Sequence, residues 1–267
     1  MYLNLGIKPN KDMQTKWTRL TDNQWELMKD YVDWQRKRSL SLREILDAIF
    51  YIVRTGTQWR NLPQDMFPDW QAVYYYFDKW KRNGAIKKMN AAFNRLEREL
   101  KGHEASATLA LADSQSIKLA PMIYEHRGID GNKKVNGRKR HILVDVKGRI
   151  YDTHIHAANL HDSPEGVELL KESSFDMEVL QTVMADKTYR GTFAKAVEKL
   201  DLNFEVPARP DNTKGFVIEA KRWVVERTFA WLNFYRRCVI DYEHTPESAS
   251  LFLVFANLSM VIEQIGM

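Results

Sequence analysis

Residues 138–157 read RKRHILVDVKGRIYDTHIHA, and this stretch decides the fold. Two runs rich in β-branched and aliphatic residues flank Lys147-Gly148, a turn-forming dipeptide, so the pattern predicts a hairpin of two antiparallel strands. Upstream, TLALADSQSI (108–117) predicts a strand ending near Asp113. Downstream, a helix begins around Asp162-Ser163-Pro164, VLQTVMAD (179–186) predicts a strand ending in Asp186, TFAKAVEKL (192–200) a helix and NFEVPA (203–208) a fifth strand. A long helix is expected over about residues 218–235, and Thr245-Pro246 opens the last one. Three strands joined by short connections, followed by alternation with helices, imply an α/β protein with a mixed sheet. The longest apolar run, LFLVFANLSMVIEQI (251–265), is broken by Asn257, Ser259, Glu263 and Gln264. It is too short for a bilayer, which takes about 20 residues, and reads as a buried helix.

The N-terminal part is helical by pattern. Thr21-Asp22-Asn23-Gln24 and Ser41-Leu42-Arg43-Glu44 fit capping boxes, the first helix running to about Trp34 and the second stopping at Gly56. Asp69 caps a third helix that puts Trp70, Val73, Phe77 and Trp80 on one face and Gln71, Tyr75, Lys79 and Arg82 on the other, before Gly84 ends it. A fourth helix covers about residues 86–100. Three short helices, the last basic and aromatic, fit a helix-turn-helix-like DNA reader; a small bundle packed on its neighbour fits equally. Polar, small residues around 103–107 place a boundary there, giving a helical domain over 1–104 and a sheet domain over 105–267.

The 267 residues carry a net charge of +5, with 44% hydrophobic residues and one cysteine. That excludes a disordered chain and a disulfide scaffold and fits a reducing cytoplasm. The positive excess lies in residues 1–106, with 19 Lys+Arg against 13 Asp+Glu; residues 107–267 hold 21 against 22. Between Arg127 and Arg149, eight basic residues (among them Lys133, Lys134, Arg138, Lys139 and Arg140) face two acids. Such a run is either a solvated surface or a phosphate-binding loop.

Asp113 and Asp186 at strand ends, with Glu226 in the long helix, could meet at one rim of the sheet. Carboxylates so gathered call for a hard divalent cation. Each alone reads as a turn cap or a solvated helix position. Asp145 and Asp152 beside the hairpin turn, and the helix-capping Asp162, rank below them. At 100° per residue, Arg222, Asn233 and Arg237 share the face of Glu226. His154 and His156 share a strand face, which metallohydrolases also use, but that reading leaves the basic content unexplained.

The blocks LTDNQWELM, LREILDAIFYIVRTGTQWRNLP and WQAVYYYFDKWKRNG in the first part, and ADSQSIK, GRKRHILVD, ADKTYRG and RWVVERTFAWLNFYRR in the second, occur in one order over nearly the whole chain. In this the chain resembles the bacterial DDE transposases of the insertion-sequence-five group. The resemblance implies a ribonuclease H-like catalytic fold with Asp113, Asp186 and Glu226 as its three acids. Seventy-three positions separate the first two acids and 40 the last two, so no large insertion precedes the glutamate. The family's Tyr–Arg–Glu–Lys pattern on the glutamate helix is matched at Arg222 and Glu226; Glu219 and Asn233 stand at the other two positions, with Arg237 able to replace the lysine. The implied reaction is phosphoryl transfer with Mg2+, or Mn2+ in its place, cutting terminal inverted repeats and joining their 3′-hydroxyls to target DNA. The partner is double-stranded DNA, bound by a dimer or larger assembly, in the bacterial cytoplasm at the nucleoid. Expected DNA contacts are Gln71, Tyr75, Lys79 and Arg82, the Lys133–Arg140 loop, Tyr189 and Arg190, and Arg222 and Arg237. His141 is expected within the hairpin. A metal-dependent nuclease, or a DNA-binding derivative without strand transfer, is the alternative.

Overall fold

The structure, a computed structural model, describes residues 17–36, 39–171, 173–207 and 222–265, with Arg222 described in its backbone alone. Local chemistry sets the N-terminal helices. The Thr21 hydroxyl accepts from the Gln24 amide and the Gln24 side chain returns the bond, closing the capping box of α1 (Asp22–Met28). The chain then tightens into a 3₁₀ turn, Lys29–Tyr31, and Asp33 takes φ +52°, so this helix stops short of Trp34. Ser41 caps α2 (Leu42–Thr55), and Gly56 ends it at φ 74°, a left-handed conformation that costs glycine little. Asp69 caps α3 (Trp70–Asn83), and Gly84 separates it from α4 (Ala85–Leu100).

The sheet has six described strands: β1 (Leu109–Lys118), β2 (Gly128–Asp130), β3 (Val135–Val144), β4 (Ile150–Ala157), β5 (Thr182–Ala185) and β6 (Asn203–Glu205). Antiparallel pairing joins β3 to β1 on one side and to β2 and β4 on the other; β5 and β6 add in parallel beyond β1. The predicted hairpin is β3–β4, with Gly148 at φ 81° in its turn and its amide donating to the Asp145 carbonyl. The three-residue β2 lies in what sequence reads as a loop. The whole is a mixed sheet with helices on both faces.

Helices α5 (Asp162–Gly166), α6 (Glu168–Lys171) and α7 (Thr192–Glu198) cover one face, where Ala110, Ala112, Leu143, Val183 and Ala185 meet Leu169, Phe193 and Val197. His161 rather than Asp162 caps α5, which places Pro164 inside the first turn. The opposite face, with Leu111, Ile142, Val144 and Met184, packs on α8 (Arg222–Leu232) and α9 (Pro246–Ile265). The expected start of the long helix near residue 218 lies outside the described residues. It ends at Leu232, not Tyr235, because Asn233, Phe234 and Tyr235 form i→i+3 bonds that lead into a 3₁₀ turn, Arg236–Cys238.

The N-terminal helices share one core with α8 and α9, including Ile45, Ile49, Phe77 and Met89 against Phe252, Phe255 and Val261. Asn257 supplies the polar joint. Its amide donates to Asn90 and Asn94 at 2.7 and 2.9 Å, both of which donate to the Ile150 carbonyl, while its Oδ1 accepts from the Ile150 amide. Every polar group in this joint is paired, the condition under which a buried network fixes one arrangement. α9 is long and apolar enough to cross a membrane, yet 78% of its apolar window is buried inside the protein.

Candidate active site

Asp113 does not end its strand: β1 runs five residues further, because antiparallel pairing with β3 continues from Leu111↔Val144 to Lys118↔Gly137. What ends beside it is the parallel pairing. Ala112 stands opposite Ala185, the last residue of β5, so Asp113 and Asp186 occupy the next level together. Side chains alternate along a strand. Ala112 and Ala185 belong to the α5–α7 face, Leu111 and Met184 to the other. Asp113 and Asp186 therefore both project toward α8, and they line a small cavity with Pro207 and Val225.

Glu226 follows Val225 on α8. The helix is docked by Val225, Phe229 and Leu232 in the core and by two side chains that reach the hairpin turn. Arg227 donates to the Lys147 carbonyl at 2.8 Å while stacked between Trp223 and Trp231, with its guanidinium 4.4 and 4.5 Å from the two ring centroids. Thr228 donates to the Gly148 carbonyl at 2.9 Å. A Cβ at position 148 would collide with the Thr228 hydroxyl, so glycine is required by close approach as well as by φ. All three acids are partly exposed. Asp113 accepts from the Ser114 amide at 2.7 Å, and Asp186 from the Thr188 amide at 2.8 Å and the Thr188 hydroxyl.

Among the described residues, no three His, Cys, Asp or Glu side chains already form a group able to hold a metal ion. The donor chemistry nonetheless fits a hard divalent cation. Two hydrogen-bonded carboxylates lie at one level on one face, bordering a cavity, with a third carboxylate adjacent to a residue that lines it. Mg2+ is commonly held by one or two carboxylates, with waters and substrate phosphate oxygens completing its shell. The competing acids are committed elsewhere. Asp145 is fully buried, accepting from the Lys147 and Arg149 amides and pairing with Arg98 at 2.9 Å. Asp152 accepts from Ser173 and Ser174, and burial pushes its carboxyl up to about 6. Asp162 pairs with Lys139 at 2.8 Å.

The basic run splits. Lys133 and Lys134 are exposed between β2 and β3. Arg138, Lys139 and Arg140 are buried, contrary to the expectation that they contact DNA. β3 is an interior strand covered on both faces, and each cation meets acceptors supplied by later chain. Arg138 donates to Asp241 and to the carbonyls of Glu125, Glu243 and His244; Lys139 to the Leu160 carbonyl; Arg140 to Gln115 and the Cys238 carbonyl. Arg237 is likewise buried and paired with Glu243 at 2.5 Å, because α8 ends before it and the extrapolated helical face breaks down. Asn233 is exposed beyond the helix end. The Arg222 side chain and Glu219 lie outside the described residues. Tyr189 is fully buried, not at a DNA surface, whereas Arg190 is exposed. On α3, Gln71, Tyr75 and Arg82 are exposed and Lys79 half-buried over the Tyr76 ring, while Val73, Phe77 and Trp80 point inward.

Sequence reasoning missed the polar chain beneath the acids, in which Tyr189, His141 and His156 bond in series. The available signal was His141 and His156 at same-face positions of the hairpin; their partner Tyr189 lies 48 positions from His141 in sequence. His154 bonds to Glu165 at 3.1 Å instead.

Residues 104–260 match the family described as "Transposase DDE domain". The chain belongs to the DDE transposases. Residues 20–90 match "Putative transposase of IS4/5 family", and the two matches together support an IS4/5-type DDE transposase. A curated relative, the uncharacterized protein y4sN of Sinorhizobium fredii (strain NBRC 101917 / NGR234), is 31% identical over 80 residues. That match covers 28% of this chain and 63% of the relative's length. The solved catalytic core domain of BIV integrase overlaps with a TM-score of 0.34 at 12% identity, covering 58% of this chain and 83% of that one. The Mos1 transposase paired-end complex with left transposon end overlaps with a TM-score of 0.24 at 10% identity, covering 77% and 78%.

Proposed function

We propose that this chain cuts the terminal inverted repeats of an insertion sequence and joins the freed 3′-hydroxyl ends to target DNA by metal-dependent phosphoryl transfer. The observation that supports the reading is that Asp113 and Asp186 stand at one level on the sheet face packed against α8, the helix that carries Glu226. These three would hold Mg2+, with Mn2+ able to substitute. Bound there, the ions would supply Lewis-acid charge at the scissile phosphate and would make the nucleophile more acidic, a water in the cutting step and the 3′-hydroxyl in the joining step.

The chain's own residues do the remaining work. The three carboxylates would position the cations at the scissile phosphate. Lys133, Lys134 and Arg190 are exposed cations suited to phosphate oxygens, and Arg222 extends the glutamate helix's claim on the DNA. Residues 1–104 would form the DNA-reading domain, with Gln71, Tyr75, Lys79 and Arg82 on the open face of α3 toward the terminal repeat. Bringing two ends together requires at least a dimer on DNA, in the bacterial cytoplasm at the nucleoid. The test incubates purified protein with a labelled element end, a target plasmid and Mg2+ or Mn2+. Joined products support strand transfer; nicks without joining indicate a nuclease; full cutting by Asp113→Asn or Glu226→Gln would remove the assigned site.

A further inference from the structure

We infer that Tyr189 is a positioning residue for Asp186, locked in place through His141 and His156; this rests on the acid site proposed above. A buried tyrosine hydroxyl needs a partner. Tyr189 finds it in His141 Nδ1 at 2.5 Å, in a site where both residues are fully buried. His141 Nε2 lies 2.7 Å from His156 Nε2, and His156 Nδ1 lies 2.8 Å from the Ala157 carbonyl.

One proton assignment satisfies this chain. A carbonyl only accepts, so His156 Nδ1 carries the proton. Its Nε2, in the neutral ring, then accepts from His141 Nε2–H. His141 Nδ1 is left as an acceptor, and the Tyr189 hydroxyl donates to it. Burial, followed by the neighbouring cationic and imidazole groups, holds His141 well below the ordinary histidine range, in keeping with neutral rings.

The chain matters because of what Tyr189 closes. The Asp186 carboxylate accepts from the Thr188 amide at 2.8 Å, and the Asp186 carbonyl accepts from the Tyr189 amide at 3.1 Å. Residues 186–189 thus form one tight turn, with the acid at its start and Tyr189 at its end. Tyr189 is anchored three ways. Its hydroxyl is held by His141, and its carbonyl accepts from Ser163 at 3.3 Å. Its ring sits so close to Gly166 that a Cβ there would come within 2.7 Å, with the Phe193 ring 5.0 Å away on centroids. His141 in turn is the register partner of Ser114, the residue after Asp113. The chain therefore ties the turn carrying one acid to the strand pair carrying the other. Directional bonds hold such a turn to a narrower range than apolar packing, and supporting shells of this kind change metal affinity by about 10–100-fold when cut.

The test is Tyr189→Phe, which keeps the ring and deletes the hydroxyl, with Gly166→Ala, which displaces the ring and deletes nothing polar. Mn2+ affinity is measured by calorimetry without DNA, alongside single-turnover cutting, terminal-repeat affinity and amide exchange at Thr188 and Tyr189. Expected for both variants are Mn2+ binding and cutting each about tenfold weaker, unchanged end binding, and faster exchange in the turn than in β1. His141→Asn, which keeps an acceptor near the Nδ1 position, recovers part of the loss seen in His141→Leu. If the wild type neither binds Mn2+ nor cuts DNA, the acid-site reading fails by itself, and turn exchange still decides the positioning claim. Wild-type Mn2+ affinity together with wild-type turn exchange in Tyr189→Phe overturns it.

Discussion

Arg138 was expected to hold a DNA phosphate, and its buried position makes the opposite prediction testable. Its guanidinium makes five hydrogen bonds, to the Asp241 carboxylate at 2.9 Å and to the carbonyls of Glu125 (twice), Glu243 and His244. Arg138→Met keeps much of the stem's volume but leaves Asp241 buried and unpaired, with three carbonyls short of a donor. Removing one partner of a buried ion pair costs about 3–5 kcal/mol. Set against a typical domain stability of about 5–15 kcal/mol, that is a large share of the total. The loss has a predictable pH sign. Burial already holds the Asp241 carboxyl above its usual range, with Arg138 restraining the rise. Without the guanidinium it rises further, so the ionised penalty is complete above the new value and fades as pH falls toward the unfolded carboxylate range. Urea unfolding followed by tryptophan fluorescence at pH 8 and pH 5 measures both quantities. A loss below about 1 kcal/mol at pH 8, or a loss that grows as pH falls, would refute the buried-hub account.

Three further outcomes follow from the same structure. Lys133→Ala and Lys134→Ala are expected to leave urea midpoints nearly unchanged while each lowers the magnitude of the log–log salt slope of DNA binding by about 1, read by fluorescence anisotropy. Asp152→Asn flattens the pH dependence of unfolding: the folded carboxyl near 6 disfavours the folded state above that value and loses this effect as pH falls toward 3.8, a span worth about 3 kcal/mol. A denaturant series from pH 4 to 7 reads it. Gly148→Ala, at φ 81° and against the Thr228 hydroxyl, costs at least about 1–2 kcal/mol and slows DNA cutting by loosening α8; thermal melts and single-turnover assays report the two effects.

The hairpin, the helix caps and the sheet class were legible because each is a local pattern. Lys147-Gly148, Thr21 with Gln24, and the alternation of strands with helices from Asp162 onward need only neighbours in sequence. The acids' common face was legible in outline for another reason: Asp113 and Asp186 each follow an apolar strand segment whose parity the core fixes. What was not legible was the partner of each cation. RKR at 138–140 carries the same charge whether it faces water or the interior, and Asp241, Glu243 and the Cys238 carbonyl that bury it lie about 100 residues on. Arg237 failed similarly, since a helical wheel assumes a helix that in fact stops at Leu232. Tyr189 reads as a surface residue near Asp186 until His141, 48 positions earlier, is placed beneath it.

The central claim is that Asp113, Asp186 and Glu226 act as one cation-holding site. Anomalous diffraction from crystals of the protein bound to an element end in Mn2+ tests it most directly. The account predicts anomalous density bounded by the carboxylates of Asp113 and Asp186, with the Glu226 carboxylate in the same coordination shell, and its loss in Asp186→Asn. Mn2+ found instead at His154 and Glu165, or density undisturbed by Asp186→Asn, would contradict it.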